Sequence, residues 1–90
     1  MEEYYLYTFE STHGAISTEK LMKPLNCTVM PVPRAISTSC GISVRIQPDK
    51  FRESREIFEK ESDLSPDEYT VYLIHSDKKA GIFDYEEVEL

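Results

Sequence analysis

The chain is poor in cysteine, in long apolar runs and in basic residues, and each shortage excludes a class of protein. Two cysteines among 90 residues are too few for a secreted scaffold stapled by disulfides. No run of about 18 apolar residues is present, which excludes a transmembrane helix. Residues 1–4 (MEEY) are acidic where a secretory signal would be basic, so we expect a cytoplasmic protein.

Charge is unevenly distributed along the chain. Ten basic residues stand against seventeen acidic ones, and residues 48–90 carry the whole net charge of −7. Binding to nucleic acid or to an anionic lipid surface requires a basic stripe, and the sequence has none. We therefore expect neither as a partner. The acidic half most often forms a solvated face, and if it contacts a protein, that protein's surface should be basic.

The order of secondary structure predicts an α+β fold. Forty per cent apolar residues suffice for one small core. Apolar periodicity predicts strands 4–9, 27–32, 42–46 and 69–74, a helix over 13–23 and a second helix from Pro48 to the polar turn 62–68. Pro31 cannot donate to a strand ladder, which places its strand at a sheet edge.

This β-α-β-β-α-β order is that of the ferredoxin-like sandwich, a four-stranded antiparallel sheet with two helices on one face. We expect residues 1–76 to form this domain. Residues 77–90 are expected to be an acidic C-terminal extension, with 82–85 as a candidate fifth strand and a frayed end over 86–90.

The stretch around Cys40 carries the clearest chemical signal. In the predicted fold the loop before the third strand meets the start of the first helix, so Cys40 should face Ser11, Thr12 and His13. A helix N-terminus offers free N–H groups and about half a unit of positive charge, which favours a thiolate. These are conditions that turn a cysteine into a nucleophile.

The rest of the loop offers further support for an ionised sulfur. Arg34 can add a full positive charge, and Gly41 leaves room for a partner beside the sulfur. Three hydroxyls can donate hydrogen bonds to a sulfur anion or to an anion beside it: Ser37, Thr38 and Ser39.

Plainer roles remain open for the same residues. Cys40 can be a buried, inert small side chain, His13 a surface residue, and Arg34 an anchor for the loop. Cys27 should not pair with Cys40, because five strand residues at about 3.3 Å each separate them, whereas bridged Cα atoms lie within about 7 Å. Two distant histidines and two unpaired cysteines do not make a metal site, so we expect no resident metal or cofactor.

Two stretches resemble a small bacterial and archaeal family of selenium/sulfur-carrier-like proteins. They are residues 7–13 (YTFESTH), with Ala15 and residues 19–21 on the following helix, and residues 31–41 (PVPRAISTSCG). The similarity covers about residues 4–75. The cysteine is followed by Gly41, unlike the cysteine-proline pair of sulfur-relay proteins.

The resemblance implies that Cys40 carries sulfur or selenium as a persulfide or selenosulfide. A cysteine desulfurase-like donor would load it and an acceptor protein would receive the atom, so the chain would be a carrier more than a stand-alone enzyme. The alternative is a regulatory or anion-binding module with an unreactive Cys40, which could form a homodimer across a sheet edge. A self-sufficient enzyme would require Cys40 to be hydrogen-bonded to His13.

Overall fold

Two α-helices lie against a five-stranded antiparallel sheet in the structure, a computed structural model that describes residues 2–36, 38 and 40–89. The strands are β1 (Glu2–Phe9), β2 (Thr28–Pro31), β3 (Ile42–Ile46), β4 (Tyr69–Asp77) and β5 (Ile82–Val88), and the helices are α1 (Thr12–Met22) and α2 (Phe51–Glu61). Short 3₁₀ turns, Lys23–Leu25 and Pro48–Lys50, follow α1 and precede α2. Within the described chain, no helix combines the length and apolar character needed to traverse a bilayer.

The sheet order is β2-β3-β1-β4-β5, and every neighbouring pair is antiparallel. The α+β class and the two helices are therefore confirmed. β1 lies in the centre of the sheet, and β2 lies at an edge, as Pro31 predicted. β3 begins at Ile42 and ends at Ile46, the predicted residues.

Local signals explain where α1 begins and ends. Ser11 is the N-cap residue, and its hydroxyl oxygen accepts a hydrogen bond of 3.2 Å from the amide of Gly14. Such a cap contributes about 1 kcal/mol to helix stability. The chain leaves the helix through Pro24 and through Asn26, whose φ of 58° is in the left-handed region.

The C-terminal segment contains the candidate fifth strand predicted over 82–85, but this strand is longer than predicted and includes most of the end that was expected to fray. β5 pairs with β4 from Ile82 opposite Asp77 to Val88 opposite Val71, so the sheet has a fifth, full-length strand. The hairpin is closed by Asp77, whose Oδ1 accepts hydrogen bonds from the amides of Lys79 and Ala80, and by Gly81 at a φ of 68°. Backbone pairing to β4 compensates for a sequence with few apolar residues to bury.

The side chains of β1 alternate between two separate apolar clusters. Tyr7 and Phe9 lie on the face covered by the helices, which we call the helix face. Tyr4 and Leu6 point to the opposite face, where the cluster also includes Ile36 from the segment between β2 and β3. We call this the loop face. Both faces of the sheet are therefore covered, one by helices and one by that segment.

The largest buried side chain on the helix face carries a polar group. Tyr7 is fully buried, and its hydroxyl lies 3.0 Å from the Oγ atom of Ser54 on α2. Ser54 donates its own proton to the carbonyl of Phe51 at 2.7 Å, so Tyr7 donates to Ser54. Burial raises the pKa of Tyr7 from 10.0 to about 12, because the tyrosinate would lose its contact with water.

We expect the free energy of unfolding to fall in alkaline solution through Tyr7. Below pH 10 the neutral Tyr7 hydroxyl makes its full contribution to the free energy of unfolding. This contribution is lost as the pH rises toward about 12, because in that window the tyrosine ionises readily only in the unfolded chain. The loss should reach about 3 kcal/mol at most. Urea unfolding of the wild type and Tyr7→Phe from pH 8 to pH 12 measures it. The difference between the two proteins should shrink above pH 10, and a constant difference would contradict the assignment.

Candidate functional site

The segment that connects β2 to β3 crosses the end of the sheet. We call residues 32–41 the Cys40 loop. Its base is closed by a hydrogen bond of 3.0 Å from the amide of Val32 to the carbonyl of Gly41, and a turn joins Ile36 N to Pro33 O at 3.0 Å. Ile36 enters the cluster on the loop face, whereas Cys40 enters the cluster on the helix face. The loop is thus anchored on both sides of the sheet.

Cys40 lies at the N-terminus of α1. Its Sγ atom is 3.9 Å from the hydroxyl oxygen of Thr12, the first residue of that helix, and donates to the carbonyl of Ile42 at 3.7 Å. The side chain is only 4% exposed. Topology alone predicted the meeting of Cys40 with the start of the helix, but it did not predict that the sulfur would be covered.

The other two residues expected to face Cys40 have different surroundings. Ser11 uses its hydroxyl to cap α1, and His13 is exposed and lies beside Ser17 and Glu61. Within residues 2–36, 38 and 40–89, neither makes a hydrogen bond to the sulfur. His13 is therefore not arranged as a base for Cys40 in this structure.

The two described polar side chains of the Cys40 loop, Arg34 and Thr38, do not contact the sulfur. Thr38 donates its hydroxyl to the carbonyl of Cys40, so it holds the main chain rather than the sulfur. Arg34 is exposed, and it forms no ion pair with any residue whose position is described. Ser37 and Ser39 lie outside the described residues, and their proposed roles stay predictions.

Gly41, which follows Cys40 in the chain, has open space around it. It is exposed, and a Cβ atom added to it would meet nothing within 4 Å. Its backbone is not in the left-handed region, unlike that of Gly81. The fold therefore does not require glycine at position 41.

Two residues that hold the Cys40 loop were missed in the sequence. The hydroxyl of Tyr85 on β5 donates a hydrogen bond of 3.0 Å to the carbonyl of Ala35. Ile36 is 5% exposed. An isoleucine inside a hydroxyl-rich loop was an available signal for burial. The partner of Tyr85 is a backbone carbonyl 50 residues away, and no side-chain pattern reveals such a contact.

The second cysteine is separate from this site. Cys27 is partly buried, and its Sγ atom donates to the carbonyl of Glu19 at 3.7 Å. Burial raises the pKa of the Cys27 thiol. Both cysteines are free, as their spacing predicted. The part of the chain that the structure describes contains no group of three or more His, Cys, Asp or Glu side chains arranged for a metal ion.

Comparison with known proteins gives one match. The model of the family described as "Putative Se/S carrier protein-like" matches residues 4–70, which include β1 to the start of β4 and the whole Cys40 loop. Neither the curated proteins nor the solved structures gave a match.

We expect alanine to be tolerated at Gly41 and not at Gly81. The two glycines are matched, since an added Cβ meets nothing within 4 Å at either, and they differ in backbone conformation. Gly41→Ala should leave the free energy of unfolding unchanged or raise it by up to about 1 kcal/mol. Gly81→Ala should lower it by about 1–2 kcal/mol. Urea unfolding of both variants tests this, and a large loss for Gly41→Ala would show that the loop does need its glycine.

Proposed function

Because the chain belongs to the Se/S carrier protein-like family, we propose that Cys40 carries sulfur or selenium as a persulfide or selenosulfide between two partner proteins. The observation that carries the proposal is the position of the Cys40 sulfur, 3.9 Å from Thr12 at the N-terminus of α1. The free amide groups of a helix N-terminus stabilise an anion, and a thiolate or a persulfide is one.

The first transfer loads Cys40 without any oxidant. The Cys40 thiolate attacks the terminal chalcogen of a persulfide or selenosulfide on a donor cysteine. A bond forms between Sγ and that atom, the donor's bond to it breaks, and the donor cysteine leaves with the electron pair as a thiolate. The proton of the Cys40 thiol passes to solvent when the thiolate forms.

The second transfer returns the carrier to its starting state. A nucleophile on the acceptor attacks the terminal atom, and Cys40 leaves as a thiolate. No electrons are gained or lost by the carrier over the cycle, so the residues around Cys40 need only stabilise an anion and admit a partner. Gly41 is exposed, whereas Cys40 is covered, so admission of a partner to the sulfur is itself part of the proposal.

The fold is suited to presenting one loop to successive partners. The order β2-β3-β1-β4, with one helix after β1 and one after β3, supports a ferredoxin-like arrangement to which β5 is added at the edge. In this proposal a cysteine desulfurase-like donor loads Cys40 in the cytoplasm, and an acceptor protein then receives the atom. A homodimer would have to pair along β2 or β5.

The proposal predicts a sulfur adduct that depends on Cys40. Incubation with a cysteine desulfurase and cysteine should add the mass of one sulfur atom to the wild type and to Cys27→Ser, and none to Cys40→Ser. Intact-mass spectrometry before and after a reducing agent measures the adduct and its reversal. Selenocysteine in place of cysteine distinguishes selenium from sulfur as cargo. An unmodified wild type, or equal loading of Cys40→Ser, would refute a carrier role.

The burial of Cys40 favours a second candidate function. A thiol that is 4% exposed and donates to a carbonyl can simply fill the end of the core. The protein would then be a regulatory or partner-binding module, with exposed Arg34 as a contact for an anionic ligand. Thiol titration of native Cys27→Ser separates the two candidates. If Cys40 reacts only after denaturant has unfolded the chain, the packing role is favoured.

A further inference from the structure

We propose that the outer end of the loop face, on β4 and β5, is a docking surface for an arginine side chain on a basic segment of a partner protein. We call it the aromatic–acidic surface, and its residues are Tyr72, Phe83, Tyr85 and Glu87. The inference does not depend on the Cys40 thiol or on the carrier function. Tyr72 and the whole of β5 follow the residues that the family model matches, so the match assigns them no role.

The three aromatic rings of this surface form a row that the rest of the fold leaves partly uncovered. Tyr72 packs against the apolar cluster of the loop face. The ring of Tyr85 meets that of Tyr72 edge-on at a centroid distance of 5.7 Å, and its distance to the ring of Phe83 is 6.2 Å. Ile36 covers the middle of the same face, but Phe83 and Tyr85 stay 36% and 44% exposed. Aromatic surface is therefore accessible to a partner.

A carboxylate lies beside these rings. Glu87 is directly opposite Tyr72 in the β4–β5 ladder, and paired residues of antiparallel strands project from the same face. It is exposed and forms no ion pair with the described lysines and arginines. Burial raises the pKa of Tyr72, and the negative charges of Glu87 and Glu10 raise it further. The potential around this ring is therefore negative, which favours a cation.

The loop face already shows how a tyrosine and a glutamate hold a guanidinium group. The guanidinium carbon of Arg45 lies 4.1 Å from the centroid of the Tyr4 ring, and its Nη2 donates to Oε1 of Glu2 at 2.7 Å. A guanidinium is planar and weakly hydrated, so it stacks on an aromatic ring while its N–H groups bind a carboxylate. Tyr72 and Glu87 present the same two groups side by side, and no arginine of the described chain binds them.

The charge of the chain favours one kind of occupant. Residues 48–90, which include both β4 and β5, carry the whole net charge of −7. Such a surface attracts a basic segment and repels phosphate groups, whether of a nucleic acid or of a lipid. It also repels a second copy of this chain, although each copy has an exposed Arg34. The occupant is therefore a different protein that carries its arginine on a basic segment.

NMR titration of the isotope-labelled wild type with a capped glycine-arginine-glycine peptide tests this assignment. We expect saturable shifts confined to the backbone amides of residues 70–73 and 84–88. The same peptide with citrulline in place of arginine is neutral and has nearly the same shape, so it should give no saturable shift at the same concentrations. An arginine peptide without saturable shifts at these amides, or a citrulline peptide that reproduces them, would overturn the proposal.

Glu87→Gln and Glu86→Gln are a matched pair of variants. Both residues are exposed neighbours on β5, and each substitution removes one negative charge. Glu86, however, is opposite Leu73 and projects from the helix face. Glu87→Gln should weaken peptide binding by about two- to fivefold, as expected when an exposed ion pair is lost. Glu86→Gln should leave the dissociation constant unchanged, and equal weakening in both variants would show unspecific attraction and contradict the assignment.

Two substitutions of Tyr72 test the contribution of the ring. Tyr72→Phe keeps the aromatic face and should bind the peptide about as well as the wild type does. Tyr72→Leu keeps an apolar side chain in the cluster and removes the ring, so binding should weaken by about two- to fivefold. Unchanged shifts of amides outside the surface show in the same spectra that each variant is folded. Wild-type affinity in folded Tyr72→Leu would refute stacking on this ring.

Sedimentation equilibrium at the same protein concentrations distinguishes a partner protein from a second copy. The wild type should sediment with the mass of one chain. Self-association that Arg34→Gln abolishes would assign the surface to a second copy and overturn the proposal. None of these measurements uses a sulfur donor, so a wild type that binds the peptide and never accepts sulfur would retain the docking surface and lose the carrier function. Sulfur loading without peptide binding would give the reverse result.

Discussion

The burial of β1 on both of its faces is the constraint from which the rest of the molecule follows. Two helices can cover only one face of the sheet, and Leu6 on the other face is nonetheless fully buried. Ile36 from the Cys40 loop supplies part of the missing cover. Burying a side chain of this size contributes about 1.5–3 kcal/mol, a substantial share of the 5–15 kcal/mol that stabilises a typical domain. The loop that carries the candidate nucleophile is therefore also a structural element.

Two opposing influences act on the Cys40 sulfur as a result. The N-terminus of α1 favours an anion, but a helix terminus stabilises a charge at an exposed site by only about 0.3–1 kcal/mol. Removing an unpaired charge from water costs considerably more. In the structure the sulfur is covered, and it donates to the carbonyl of Ile42. The transfer proposed above therefore requires that water or a partner reach this covered sulfur.

The sequence predicted those features that depend on local chemistry and on strand order. Pro31 marking an edge strand and Cys40 meeting Thr12 both follow from residue type and topology. The extent of β5 could not be predicted, because its stability comes from backbone pairing rather than from an apolar pattern. The burial of Cys40 was missed for a related reason, since it depends on how closely the loop packs over the sheet end. The contact between Tyr85 and Ala35 could not be predicted for both reasons, because it depends on the extent of β5 and on how the loop packs over the sheet.

The two edges of the sheet are both unfavourable for pairing with an added strand. At one edge, Pro31 in β2 lacks the amide proton that a pairing strand would need. At the other, β5 carries Asp84, Glu86 and Glu87, and a second β5 paired to it would bring like charges together. With both edges unfavourable for added strands, β5 remains an edge strand whose Tyr85 is free to hold the loop. The acidic C-terminal strand thus protects the sheet edge and, through Tyr85, holds the segment between β2 and β3 at Ala35.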